Sequence, residues 1–412
     1  MEIIIIICIL LLLAYVFDLT SSLTKIPSVI LLLVLGWGIR QISQLSLFSD
    51  YHIPELSVLL PIFGTLGLIL IVLEGALDLE MNKSKFPLVR NTFLTAIVSM
   101  LAIAFSFAAI LNQYYEIPFR TALLNVIPIC VISSSVAIAS AGSLTGTNKE
   151  YVIYESSLSD ILGVLFFNFV AFNQVYSIHS LAGFGLNFIV MIVISLIATI
   201  VLSILLSKIN HPTKYAPIII LMILIYAISE VYHLPALIFI LFFGLFLGNI
   251  DELKRIKFFK KIKDDSIKEV NMFKEIVREG TFLMKAFFFI LFGYSFHTSE
   301  IINPDTLIMS LVISGSIFLI RFILLYLAKV PITPLLYVAP RGLITILLFL
   351  AIPASESLPI VNKSLIMQVI VLTSLVMMFG MMFSKSELKE DKTEVDENPS
   401  APAGEEFIPV NN

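Results

Sequence analysis

Residues 131–146 read VISSSVAIASAGSLTG. They continue an apolar run that begins near residue 117, but hydroxyls and glycines stand where lipid-facing side chains should follow. A second stretch, YVAPRGLITILLF at 337–349, sets Arg341 between Pro340 and Gly342 inside another apolar run. Proline removes a backbone donor and clashes with the preceding turn, while glycine frees the backbone. Freed backbone groups at membrane depth must be satisfied by protein or line a hydrated cavity. Both stretches therefore read as spans interrupted in mid-membrane.

The rest of the chain requires a bilayer around those two breaks. Of its residues 58% are apolar and 14% charged, with a mean hydropathy of +0.99, far from the values of a soluble domain. A span takes about 20 mostly apolar residues. About thirteen such stretches fall at roughly 3–17, 26–42, 56–80, 88–112, 117–143, 151–175, 181–207, 215–231, 234–250, 280–296, 303–328, 331–353 and 362–384. The first, MEIIIIICILLLLAYVF, lacks a basic leader and a small-residue cleavage site, so it is read as a span and not as a removable signal.

Ser133 to Ser135 fall in the middle of the fifth span and Arg341 in the middle of the twelfth. The first six and last six spans are thus expected to be inverted halves about the seventh, each with a broken fifth helix. Matching interruptions in two halves mark a transport site at the midplane. The expected fold is an all-α polytopic membrane protein of about 13 transmembrane helices, with inverted repeats and two broken helices. One transmembrane domain, residues 1–384, accounts for nearly all of the chain.

Basic loops resist translocation. Connections after odd-numbered spans carry seventeen Lys and Arg, and those after even-numbered spans only Arg40, Arg120 and Lys363. The expected topology has the amino terminus outside and the carboxyl terminus in the cytoplasm of a cell whose inner or plasma membrane holds the protein. Nine of the seventeen lie between Lys254 and Arg278. Residues 251–279 are read as a basic cytoplasmic connection between spans nine and ten, whose Ile and Phe residues suit an interfacial helix. Residues 385–412 are polar, acidic and rich in proline, a composition expected to be disordered. Cys8 and Cys130 lie in apolar runs and read as small packing residues.

Asp160, in YESSLSDILG at 154–163, lies about ten residues from the cytoplasmic end of its span, or about 15 Å at 1.5 Å per residue. That depth is close to the midplane, where an ionisable group is a functional hypothesis by default. Glu155 points about 140° away around the same helix, at 100° per residue, so the two acids need not share a partner. Ser156 shares a face with Asp160, and Ser159 shares one with Glu155. Carboxylate and hydroxyl together suit a small hard cation. Arg341, at a depth similar to Asp160, is expected to pair with Glu155; Lys285 and Arg321 are the other basic residues within spans.

These residues resemble the monovalent cation:proton antiporters, in particular the sodium/proton exchanger branch. The resemblance rests on LEGALDLEM at 73–81, SSSVA at 133–137, ESSLSD at 155–160 and PRGLITI at 340–346. It implies a core domain with crossed broken helices, a separate dimerisation domain and an elevator-like movement. It also implies that Asp160 binds the ion and carries the proton, that Ser156 is a hydroxyl ligand, and that Glu155 and Arg341 bridge helices. Glu74 matches an acid able to approach the site in some members. Where the family has Thr-Asp-Pro, this chain has Ser133, Ser134 and Ser135, and where it has Asn-Asp, this chain has Ser159 and Asp160. Ser133 is expected to offer a backbone carbonyl at the break.

The resulting expectation is exchange of a monovalent cation, Na+ before Li+ or K+, for H+ at Asp160, electroneutral and one for one, by a homodimer embedded in lipid. No cofactor, enzyme activity or nucleic acid is expected. An ion-coupled symporter of an organic solute needs more polar groups in mid-span than the sequence holds, and a K+/H+ antiporter differs only in the ion. A passive channel or membrane sensor would carry a pore motif or a linked domain. The histidines, His52, His179, His211, His233 and His297, map to connections or span ends and form no metal-ligand cluster.

Overall fold

The computed structural model describes residues 2–24, 26–44, 59–79, 83–141, 144, 146–173, 178–208, 214–232, 234, 236–250 and 265–384. Among them the secondary structure is helical, without strands. Six helices precede the first long crossing of the acidic segment: α1 (Glu2–Thr24), α2 (Ser28–Ser43), α3 (Leu59–Asp78), α4 (Phe86–Tyr115), α5 (Phe119–Cys130) and α6 (Ser134–Ala141). There follow α7 (Gly146–Phe172), α8 (Ile178–Lys208), α9 (Tyr215–Val231), α10 (Leu237–Gly248) and α11 (Asp265–Tyr294). The last three are α12 (Pro304–Leu327), α13 (Leu343–Leu350) and α14 (Lys363–Phe383). Single turns at Lys83–Lys85 and Thr298–Ile301 lie between them.

Seven described stretches are long and apolar enough to cross a membrane, and α2, α9 and α10 are shorter apolar helices in the same series. Their order follows the thirteen spans read from the sequence. Span five is two helices, α5 and α6, separated by residues 131–133. Its start is set by Pro118 in extended backbone and its first half ends where Val131 turns extended, φ -82° and ψ 130°. Span twelve begins as turns near 333–337, continues without regular structure to Gly342 and becomes helical only at Leu343. Side-chain caps mark two other span starts: Asn303 accepts from the Asp305 amide and Asn362 from the Leu365 amide.

The helices pack in two groups. In one, α4, α5 and α7 pack together, α13 lies on α5, and α12 packs on α14 and α4. In the other, α2, α3, α10 and α11 form the centre and α8 lies on α10. Burial runs opposite ways across these spans, from 6% in Ile4–Ser21 to 89% in Phe119–Ile138. The broken span is therefore the middle of the protein, whereas α1 presents apolar side chains outward, as a lipid-facing helix does.

The second group is locked by a backbone contact between α2 and α11. A Cβ on Gly36 would fall onto the Ile290 carbonyl and the Tyr294 amide, and one on Gly293 onto the Leu33 backbone. Close helix approach of this kind needs small residues. Gly293→Val is expected to force the helices apart at a cost of about 1–3 kcal/mol, read as a lower melting temperature in detergent. An unchanged melting temperature would mean that the helices do not meet there.

Residues 265–279 are the first half of α11, while 251–264 and the tail 385–412 lie outside the described residues. That half-helix is held by ion pairs: Lys274 and Arg278 reach Asp78 at 2.5 and 3.1 Å, and Lys214 pairs with Glu269. The Lys214 ammonium and the Tyr215 hydroxyl hold the Glu269 carboxyl below the usual carboxylate range. Cys8 and Cys130 are both free thiols.

Candidate functional site: an acid at the crossing of two broken spans

The two interruptions meet. The Ser133 amide donates to the Pro340 carbonyl at 2.9 Å, closing one break on the other. Gly342 makes this approach feasible, since a Cβ there would collide with the Ser133 side chain and Val136. Each break leaves helix ends with unsatisfied backbone groups, carbonyls at a C-terminus and amides at an N-terminus.

Arg341 and Asp160 answer those two kinds of end. Arg341 donates from Nε to the Ile129 carbonyl at 2.7 Å, and from its terminal nitrogens to the carbonyls of Ala339 at 2.7 Å and Cys130 at 3.3 Å. A guanidinium thus sits at the carbonyl end of α5, where the helix dipole favours positive charge. Its own amide donates to the Thr373 hydroxyl at 3.1 Å. Asp160 of α7 lies at the other kind of end: its Oδ2 accepts from the Ser134 amide at 3.3 Å and from the Ser134 hydroxyl, in the first turn of α6. Both charged side chains are buried, at 1% exposure. The second Asp160 oxygen, Oδ1, has no hydrogen-bond partner among the described residues.

Ser156 donates to the Val152 carbonyl of its own helix at 2.7 Å, and the hydroxyl that bonds Asp160 is that of Ser134. Ser159 accepts from the Ile132 amide at 2.9 Å and so ties α7 to the first break. The Ser133 and Ser135 hydroxyls bond each other at 2.9 Å, while the Ser133 carbonyl accepts from Ala137 in α6.

The expected pairing of Glu155 with Arg341 is corrected. Glu155 makes two bonds to Arg321 of α12, at 2.9 and 2.8 Å, with side chains 2% and 3% exposed. Arg321 also donates from Nε to the Leu335 carbonyl ahead of the second break, at 2.9 Å. The arginine flanked by helix breakers had carbonyls to satisfy, and the one in an unbroken helix was available for a carboxylate. Thr373 gave no signal in the sequence beyond being one hydroxyl in an apolar span.

Glu74 of α3 does not bond Asp160. It lines a cavity of about 260 Å³ that also contains Ser135, and its Oε2 lies 3.6 Å from the Lys285 ammonium.

The sodium/hydrogen exchanger transmembrane family matches residues 7–385, a stretch that takes in both breaks, Asp160 and the Glu155–Arg321 pair. The chain belongs to the sodium/hydrogen exchanger family. This exchanger is accordingly a multi-pass integral membrane transporter and not an enzyme. Its fold is that of solved antiporters. A structure of the sodium proton antiporter MjNhaP1 from Methanocaldococcus jannaschii at pH 8 matches with a TM-score of 0.67 at 21% identity, over 95% of this chain and 100% of that one. An electron-microscopy map of the same antiporter gives 0.64 at 21% identity, over 93% and 95%. No curated protein sequence matches.

Proposed function

We propose that the exchanger trades one monovalent cation, sodium, for one proton by alternating access, and that Asp160 is the group both ligands share. The observation that carries this reading is Asp160 Oδ1, a buried carboxylate oxygen without a hydrogen-bond partner among the described residues, at the meeting of the two breaks. A charge buried without compensation is expensive. Either a proton or a cation at Oδ1 removes that cost, while Ser134 holds Oδ2 in place through two bonds. Loaded with one or the other the site is neutral and can cross; bare, it is a buried anion and crosses poorly. That asymmetry couples uptake on one face to release on the other.

One titrating carboxylate gives one proton per cation. Glu155 is neutralised by Arg321, and Arg341 is committed to the α5 carbonyls, so neither changes the count. The group built from α4 to α7 and α12 to α14 is taken as the moving core, and the group centred on α2, α3, α10 and α11 as the scaffold and dimer contact. The amino terminus is taken as outside, the carboxyl terminus as cytoplasmic.

The test is purified protein in vesicles bearing a pH gradient. Added sodium should dissipate the gradient without an organic solute, saturably, and without net charge movement when the membrane potential is varied. Lithium and potassium arms decide the cation. A requirement for an organic solute would favour a symporter, and flux that follows potential would contradict one-for-one exchange.

A further inference from the structure

The cavity containing Glu74 is lined by residues of α1, α2, α3, α6 and α11. Its lining includes Ser135, next to the Ser134 that holds Asp160, together with Asp18 of α1, Ser28 of α2, Glu74 of α3, and Arg278, Glu279 and Lys285 of α11. Several of these are already engaged. Ser28 donates to Asp18 at 3.2 Å, and Arg278 reaches out to Asp78. Lys285 remains as the ammonium beside Glu74. At 3.6 Å the pair is longer than the 2.7–2.9 Å of a charge-assisted hydrogen bond, and both side chains are about one-quarter exposed. A compact charge on a flexible four-carbon stem, held at that distance, is displaceable.

We propose that Lys285 is a tethered competitor for the incoming cation: its ammonium occupies the Glu74 carboxylate, and a cation must take that carboxylate from it to pass along the cavity toward Ser134 and Asp160. The inference rests on the reading of Asp160 as the cation site. An ammonium in this position has two effects. It offsets the charge that would attract a cation, and it repels the cation directly. Like charges a few ångströms apart in a partly hydrated protein interior interact strongly enough to alter affinity by about tenfold. Lys285 therefore sets how much cation the exchanger needs, and Asp160 sets whether exchange happens.

The experiment measures exchange rate against sodium concentration in vesicles at one fixed pH. Lys285→Gln is expected to lower the half-saturating sodium concentration about tenfold, with a smaller change in maximal rate. Lys285→Arg, which keeps the charge, should stay near the wild-type value. In a Glu74→Gln background the same Lys285→Gln change should have little effect, because the contested carboxylate is gone. Lys285→Met, with an unbranched stem of similar length, serves if the glutamine variant gives too little folded protein. An unaltered half-saturation in the charge-removing variants, or an equal shift in both backgrounds, overturns the role of Lys285 while leaving Asp160 untouched. A wild-type protein that does not exchange overturns the functional reading and this inference with it.

Discussion

Asp160→Asn is expected to reduce sodium-driven proton movement to the level of protein-free vesicles while the protein stays folded. Asparagine keeps an oxygen to accept from Ser134 and fits the same space, so the crossing of the breaks survives. What it loses is the ability to alternate between a charged and a neutral form. The variant also removes a buried charge that has no ionic partner, so its melting temperature should equal or exceed that of the wild type. The combination is diagnostic, because a variant inactive through misfolding would melt lower. Normal exchange by Asp160→Asn would take the carrier role away from this residue.

Arg321→Met is expected to have the largest effect on stability. It leaves Glu155 charged, about 2% exposed, and without the two bonds that now satisfy it. Removing one partner of a buried ion pair costs about 3–5 kcal/mol, a large share of the stability of an ordinary fold. It also strips the Leu335 carbonyl, just ahead of the second break, of one of its two donors, the other being the Val338 amide. The double variant Glu155→Leu/Arg321→Met should recover much of the loss, since no buried charge is then left alone. Thermal melting of the four proteins in detergent measures this. Arg341→Met should show no such rescue by Glu155→Leu, because Arg341 bonds carbonyls that remain whatever stands at position 155. Strong rescue of Arg341→Met by Glu155→Leu would contradict the assignment of partners.

The fold was legible because its constraints are written in composition. A run of apolar residues long enough to cross a bilayer has few alternatives, and serines or a Pro-Arg-Gly triplet in mid-run have fewer. The two breaks therefore fell where VISSS and APRGL put them, and Asp160 stood out as a candidate because a mid-membrane acid needs a reason. Partners across helices were less legible. Ser156 shares a helix face with Asp160 at i and i+4, yet its hydroxyl bonds its own Val152 carbonyl and the hydroxyl on the carboxylate comes from another helix. Ser134 took that place because the break swings the first turn of α6 onto α7, a rotation that linear spacing does not encode. Arg321 could have been chosen over Arg341 by asking which arginine already had helix-end carbonyls to satisfy.

Competition at one carboxylate is the claim on which the rest depends, and it has a direct measurement: the half-saturating sodium concentration of the wild-type exchanger as a function of pH. With proton and cation excluding one another at Asp160, that concentration should rise about tenfold for each unit of acidification below the proton affinity of the site and level off above it. A half-saturating concentration that stays flat across the whole range would show that the two ligands bind without excluding one another, and would contradict the account.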